Sequence, residues 1–568
     1  VQSVAGAGAA FTPWGLLKAR KVHDTAFQSG LTAYRREEMN QTDVVVIGSG
    51  GAGLIAAIAS AKEGASVTVL SKTVTGYASA TEYSSGFFTL PDQEMSSEKY
   101  LEYVRRVGKN LSREDLLGYL GESAYPSLQD LCSWGITLRF LGSGHATVTD
   151  SARVPVASGG GMLSELKNLA SGHGVKFFEN VFVTDLLASK NRVFGVDYCD
   201  WTTGSNGRIF CKSVIIATGG AGQIFSRTDS PSRITGDGYA LALKAGLVLE
   251  DMEFVQFYPL GFDEPRFPCW MIRLPVLDIA RLTDGSGNEF LKQEMQNRGI
   301  KDGMEVSLFA RDMASRSIQE RIDLGDEALL HLEDIERACW DEWDLRKTLG
   351  CYPQGIKPWD YGPVHVSPLA HYFCGGVKID NSTATSIDGL FACGEVTGGV
   401  DGASRVGGNA LSSMVTFGIR AGREAAKISL LRSPRPFTGA EKEKERNFFS
   451  SDGVIESRRA RNEIRCLNMK CLGPLREERS IRRSISVLEN YLLSELPKVR
   501  IDRPQDFLEA LELESMLLTS LSVAYSALSR KESRGVHYRT DFSCEREEYG
   551  RSQAVKIENG RFLTAFVE

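Results

Sequence analysis

No apolar run in the 568 residues reaches the ~18 that a membrane span needs. No two of the eleven cysteines have C-x-x-C spacing. The first absence predicts a soluble chain, cytoplasmic or peripheral to a membrane through a partner. The second, with an odd count scattered from Cys132 to Cys544, argues for a reducing compartment. It also argues against a disulfide framework, a metal site or an iron–sulfur cluster ligated within the chain. Any electron wire must then lie in another chain. Excess positive charge is missing too: the net charge is −6 and the pI 5.9, so there is no nucleic-acid footprint. The length excludes a single core and predicts three or four domains, at roughly 150 residues each.

What the chain does have is glycine, and one glycine stretch organises the rest. Val44-Val45-Val46-Ile47 is β-branched and apolar throughout, which suits a parallel strand buried on both faces. Gly48, Gly50 and Gly53 follow in G-x-G-x-x-G. They serve a tight turn, close backbone approach to a pyrophosphate, and close packing of the next helix on the sheet. That helix, Ala52 to Lys62, directs its N-terminal amides and dipole at the phosphates. Gly64 ends it, and Ser66 to Leu70 is the second strand. Fifty-seven glycines produce the bare spacing by chance; strand, loop, helix and strand in this order specify a dinucleotide site. The acidic residue that usually ends the second strand is absent, and Ser71-Lys72 stands there instead.

Residues 1–41 read as an N-terminal extension without the basic region, apolar core and small-residue cleavage site of an export signal in that order. Thr75 to Pro91 is small and hydroxyl-rich and leaves the second strand where a cofactor lies, so it is expected to cover that cofactor. Residues 96–135 are helical in pattern, and Gly159-Gly160-Gly161 precedes a helix from Met162 to Ala170. Phe177 to Leu187 and Val193 to Cys199 look like strands of a small antiparallel insert, with Asn206-Gly207 as its hairpin turn. Ser213 to Gly222 is a buried strand ending in Ala217-Thr218-Gly219-Gly220, and a helix with Gly236 and Gly238 at its start follows. This second glycine turn favours FAD over NAD. Further on, Glu395 closes a strand and can accept hydrogen bonds from ribityl hydroxyls. Gly407-Gly408-Asn409 opens a helix over Ser412 to Lys427, whose positive end suits a flavin edge that gains negative charge on reduction.

Together these motifs resemble one family. Ser71-Lys72, Thr235-Gly236-Asp237-Gly238, His371-Tyr372-x-x-Gly375-Gly376, Gly394-Glu395, Arg405-x-Gly407-Gly408-Asn409-x-Leu411 and Glu532-Ser533-Arg534-Gly535-x-His537-Tyr538-Arg539 look like the flavoprotein subunits of succinate dehydrogenase and fumarate reductase. L-aspartate oxidase is close by. The resemblance implies an α/β fold: a Rossmann-like FAD-binding domain interrupted by an α+β capping domain, then a helical C-terminal domain. The corresponding ranges are an extension 1–41, FAD-binding parts 42–246 and 366–435, a cap 247–365, helices 436–540 and a tail 541–568. It implies FAD held by Gly48, Gly50, Gly51, Ala52, Gly53, Ser71, Lys72, Thr218, Gly219, Gly220, Asp237, Glu395, Arg405, Asn409, Ala410 and Leu411. It also implies hydride transfer between flavin and a small carboxylated substrate, and an iron–sulfur or other redox partner subunit.

Two positions carry over as carboxylate holders, His371 and Arg405, the arginine offering a bidentate fork. Three departures stand beside them. The family's Gln-Phe-His-Pro reads Gln256-Phe257-Tyr258-Pro259, so the second substrate histidine is a tyrosine. The family's Thr-Glu-Gly-x-Arg-Gly, read as supplying the proton donor, becomes Arg273-Leu-Pro-Val-Leu-Asp-Ile-Ala280 with Val276 at the donor position. Arg266, Arg273, Arg281 and Tyr258 are then the candidate donors. The triplet that carries a flavin-linking histidine in respiratory members reads Ser79-Ala80-Thr81, so FAD is expected to be non-covalent. Two function classes follow: a flavoenzyme acting on a small carboxylate, aspartate-oxidase-like amino-acid oxidation included, or a flavin-holding electron-transfer scaffold that lost the proton relay.

Overall fold

The strand Val44–Ile47 is the middle of a five-stranded parallel sheet in a computed structural model that describes residues 41–148, 158–189, 191–265, 267–337, 339, 362–433 and 453–567. Residues 1–40 of the extension, Arg266 and all of the 436–452 lead into the helices lie outside the described residues. The sheet order is Leu390–Ala392, Ser213–Ile216, Val44–Ile47, Val67–Leu70, Lys176–Phe178. The four strands other than Lys176–Phe178 are buried along their whole length, as apolar runs covered on both faces must be. The helices Gly51–Lys62 and Asn409–Leu431 pack together. Their approach needs Gly422, because a Cβ there would fall 2.3 Å from the Ala56 carbonyl oxygen.

Three local expectations are corrected. Gly160 and Gly161 lie inside the helix Ser158–Gly172 rather than before it. Lys176–Phe178 joins the parallel sheet, so the antiparallel insert is Val181–Ser189, Arg192–Asp200 and Ser205–Phe210. Its second turn is not at Asn206-Gly207, which pair with Cys199 and Tyr198. Trp201 to Gly204 makes the turn, with Gly204 at φ +73°. The Asp200 carboxylate accepts from the Thr202 amide at 2.9 Å and from the Thr202 hydroxyl at 2.6 Å. Gly207 serves packing instead, since a Cβ there would collide with the Tyr198 ring at 2.3 Å.

Val255–Phe262 pairs antiparallel with Val364–Phe373, and Leu329–Leu330 and Leu282–Thr283 extend that sheet. Residues between Tyr258 and Leu369, among them Leu260, Ile272, Leu274, Val276, Met313 and Ile318, pack a second apolar core of their own. Helices Ser457–Leu472, Glu478–Asn490 and Pro504–Ser529 pack against one another. Residues 541–568 are more than a trailing tail, because the strands Gln553–Glu558 and Arg561–Phe566 extend a sheet through Leu249–Glu250 to Gly376–Val377.

Candidate active site

Between the parallel sheet and the second core runs a cavity of about 850 Å³, a size in the range of cofactor and ligand sites. At one end it is lined by Gly48, Gly50, Gly51, Ala52, Ser71, Lys72, Thr218, Gly219 and Asp237. Glu395, Ala410 and Leu411 line it further along, and Tyr258, Arg273, His371 and Arg405 meet it beneath the second core. The segment Tyr77 to Ser85 supplies one wall, Ala80 included, as the covering-loop expectation requires.

Four predicted site residues do not reach the cavity. Gly53 packs on the turn, since a Cβ would lie 2.1 Å from the Gly48 carbonyl oxygen. Gly220 makes room for Glu395, whose Oε1 would lie 2.1 Å from a Cβ there. Asn409 is buried and pinned, donating to Asp401 at 2.9 Å and accepting from the Tyr100 hydroxyl. Arg281 is half-exposed and paired with Asp334 at 2.7 Å, so it is not available as a proton donor. Val276 is buried in the second core.

The glycine end is built for an anionic, oxygen-rich ligand. Helix Gly51–Lys62 has no side-chain cap at Gly50 and no acid in its first turn; its Gly51 amide donates to Thr81 Oγ1 at 3.3 Å, while the next amide, at Ala52, and the positive dipole end are left to the cavity. At Gly50 the nearest atom to an added Cβ is 3.5 Å away, which keeps the backbone approachable. Helix Asn409–Leu431 starts equally bare after Gly408 at φ +81°. Thr218 Oγ1 is buried without a hydrogen-bond partner. Glu395 accepts from the Phe373 amide at 3.1 Å, and burial, partly countered by that bond and by Arg405, raises its carboxyl to about 7. These features fit FAD, phosphates at the bare helix end and flavin toward Glu395 and Ala410.

At the other end stand two buried guanidiniums. Arg405 is 5% exposed, lies 4.1 Å over the Tyr372 ring, and its Nε is unpartnered. Arg311 was not foreseen from the sequence. It opens the helix Arg311–Asp323 and donates from Nε to the Ser307 carbonyl at 2.6 Å. It also stands 5.2 Å over the Tyr258 ring. Gln256 ties the pair together: its amide donates to the Arg405 carbonyl at 3.0 Å and its oxygen faces Arg311 Nη1 at 3.5 Å. Burial first, then the charge of Arg405, depresses Arg311 to about 10. Among the described residues no ion pair involves either arginine. The available signal was local. A cation in a helix's first turn opposes the macrodipole, and such rule-breaking concentrates at functional sites.

His371 projects from the strand Val364–Phe373, and its Nδ1 lies 2.7 Å from the Asp229 carboxylate. Burial lowers its basicity, Asp229 partly restores it, and Arg405 and Arg311 lower it again. Tyr258 stands 5.4 Å from the His371 ring, centroid to centroid. Its hydroxyl accepts from the Leu274 amide at 3.1 Å. Burial raises the Tyr258 hydroxyl above its ordinary value.

With this geometry in place, comparison with known proteins is direct. The FAD binding domain family matches residues 43–411, and the fumarate reductase flavoprotein C-terminal family matches 461–559. The chain is 32% identical to one subunit of the fumarate reductase (CoM/CoB) of Methanothermobacter marburgensis, over 91% of this chain and 97% of that relative. It is 29% identical to the L-aspartate oxidase of Mycobacterium bovis, over 90% and 95%. Among solved structures, an E. coli quinol fumarate reductase FrdA variant superimposes with a TM-score of 0.80 at 26% identity, covering 93% of this chain and 96% of that one. Motifs, cofactor cradle and relatives agree that this is an FAD-dependent oxidoreductase belonging to the fumarate reductase and succinate dehydrogenase flavoprotein family.

Proposed function

We propose that the chain oxidises or reduces a small carboxylated substrate, with Arg405 and His371 holding a carboxylate, Arg311 exchanging the proton, and a separate redox subunit exchanging the electrons. The observation that carries this reading is the side-by-side burial of Arg405 and Arg311, neither in a direct ion pair among the described residues, with Asp401, Glu395 and Asp229 acting on them only from beyond contact. Two desolvated cations cost several kcal/mol unless an anion joins them, and a substrate carboxylate is such an anion. FAD, when bound, supplies two-electron hydride chemistry.

Arg311 takes the proton role in place of Arg273, Arg281 and Tyr258. Burial and Arg405 bring it to about 10, nearer the working pH than an ordinary guanidinium, which is what a general acid needs. Ser307 and Gln256 hold its fork in place. In the reducing direction it gives its proton to the carbon beside the one that receives hydride; in the oxidising direction it takes one. Arg273 also lines the cavity and suits a second polar group of the substrate. Residues 247–365 act as the cap in this reading, supported by the separate core above the cavity. Residues 42–246 and 366–435 form the flavin-binding part, and 436–540 the helices.

The Methanothermobacter relative is by name one subunit of its reductase, and the scattered cysteines favour an electron carrier in another chain. Cys132, Cys466 and Cys544 are exposed and unpaired, which supports a reducing, cytoplasmic setting; no helix among the described residues is long and apolar enough to cross a membrane. The test is anaerobic absorbance of the FAD-loaded chain. Reduced protein is mixed with fumarate, and oxidised protein with succinate or L-aspartate. A redox change with at least one is expected. No response to any, with FAD bound, replaces the enzyme by the electron-carrying scaffold.

A further inference from the structure

The carboxylate beside His371 is built in as firmly as the histidine itself. The segment Arg227 to Ser230 is clipped to the strand Val364–Phe373 just before Asp229 and tied back on itself and to Gln223 just after it. The Ala370 amide donates to the Arg227 carbonyl at 2.9 Å, and Thr228 Oγ1 donates to the Ala370 carbonyl at 2.7 Å. The Ser230 amide returns to Thr228 Oγ1 at 3.0 Å, and Gln223 Nε2 holds the Ser230 carbonyl at 2.6 Å. Gly222 lets the segment sit this close, since a Cβ there would meet Ser230 Oγ at 2.2 Å. The Asp229 side chain is 9% exposed, and both it and His371 line the cavity.

A carboxylate only accepts hydrogen bonds, so the 2.7 Å contact keeps the proton on His371 Nδ1 in either charge state. Nε2 has no hydrogen-bond partner among the described residues and is left for a ligand. In the neutral ring Nε2 is a lone pair, which repels a carboxylate oxygen; only the imidazolium can donate to one. The charged groups around the ring are Asp229 from the clipped segment, Arg405 from the glycine turn and Arg311 from its helix start, with the Tyr258 ring across the pocket. Burial first, with Arg405 and Arg311 adding to it, favours the neutral ring in the free site against the opposing pull of Asp229. An added carboxylate reverses that balance.

We propose that Asp229 is the positioning residue of this pocket, fixing His371 with Nε2 toward the substrate so that the pair takes up one proton from solvent as a carboxylate binds beside Arg405. The proposal rests on the carboxylate reading of the cavity. Its sign follows from linkage: the ligand-bound ring holds its proton to higher pH than the free ring. Affinity is therefore constant below the free-ring value, falls up to about tenfold per pH unit between the two values, and levels off above the bound-ring value.

The experiment is calorimetric titration of the FAD-loaded chain with fumarate and with crotonate, in phosphate and in Tris at pH 7, which counts protons per ligand bound. The wild-type chain is expected to take up a proton, with affinity rising on acidification. Asp229→Asn keeps an acceptor for Nδ1 but loses the charge, so proton uptake at pH 7 should fall toward zero and affinity by roughly tenfold, with full flavin content. His371→Gln should bind with no proton uptake and no pH slope from pH 6 to 8. Wild-type binding without proton uptake overturns the proposal alone, whatever the variants do. So does an Asp229→Asn chain with unchanged proton count and slope. Failure of both acids to bind the wild-type chain overturns the carboxylate reading itself, and this proposal with it.

Discussion

Glu512, in the middle of the helix Pro504–Ser529, lies 2.8 Å from Lys72 at the end of the second strand. The same carboxylate is 2.8 Å from Arg233 and 2.5 Å from Arg461 and is wholly buried. Lys72 and Arg233 both line the cavity, so one acid from the C-terminal helices organises two cations of the cofactor wall.

Glu512→Gln leaves three cations around a neutral group, and removing one partner of a buried ion pair typically costs about 3–5 kcal/mol. The unfolding temperature at pH 7 should fall by on the order of 5 °C or more, with flavin released earlier. Burial alone raises the Glu512 carboxyl, but Lys72, Arg461 and Arg233 draw it down to about 2. Its unfolded value is near ~4.3. The unfolded chain thus binds the proton more tightly. The contribution is complete above the unfolded value and disappears as pH falls toward about 2, so wild type and variant should converge in acid. A difference that persists undiminished at low pH assigns the effect to packing instead.

Ala80 lines the cavity between Ser79 and Thr81, where a flavin-linking histidine is expected in respiratory relatives. Acid precipitation of the yellow protein should release all the flavin into the supernatant. Fluorescence remaining with the denatured polypeptide band would show a covalent bond formed elsewhere.

Arg311→Gln should lower turnover by about 10²-fold or more, the usual range for a removed general acid, while FAD content stays at wild-type level. Arg281→Gln is the control. Its guanidinium is spent on Asp334 at the surface, so its turnover should remain within twofold of wild type. Equal losses in both would return the proton role to the second core as a whole.

The difference between those two arginines shows what the sequence could and could not convey. Val44 to Lys62 was readable because its constraints are local: an apolar run buried on both faces, then Gly48 and Gly53, whose turn and packing leave no room for a Cβ. His371, Arg405 and Tyr258 were readable through motif order. Arg311 was not, because it becomes a site residue only when the helix Arg311–Asp323 docks on the strand Val255–Phe262, burying it against Gln256 and Tyr258. Asp229 has the same origin, set opposite His371 by a bridge to the strand Val364–Phe373. Asn206-Gly207 failed for the reverse reason. A strong local turn signal yielded to the Asp200 side chain and Gly204, which close the turn earlier.

The substrate-holding role proposed for Arg405 gives the most exposed prediction. Its guanidinium lies over Tyr372, whose hydroxyl donates to Asp401 at 3.1 Å, and Asp401 accepts again from Asn409 at 2.9 Å. The ring beneath the arginine is thus held from behind, and the arginine is aimed with no direct ion pair among the described residues. Losing a buried charged hydrogen-bond partner costs about 2–5 kcal/mol, and ~1.4 kcal/mol is a factor of ten. Arg405→Ala should therefore weaken substrate-dependent flavin reduction or reoxidation by at least roughly tenfold, with the loss carried by KM and kcat together if the contact tightens in the transition state. Lysine keeps the charge but not the planar fork, so Arg405→Lys should recover only part of the loss. An Arg405→Ala protein that holds FAD and keeps full turnover would place the carboxylate elsewhere, with Arg273 and Arg311 as the remaining cavity-lining arginines at that end.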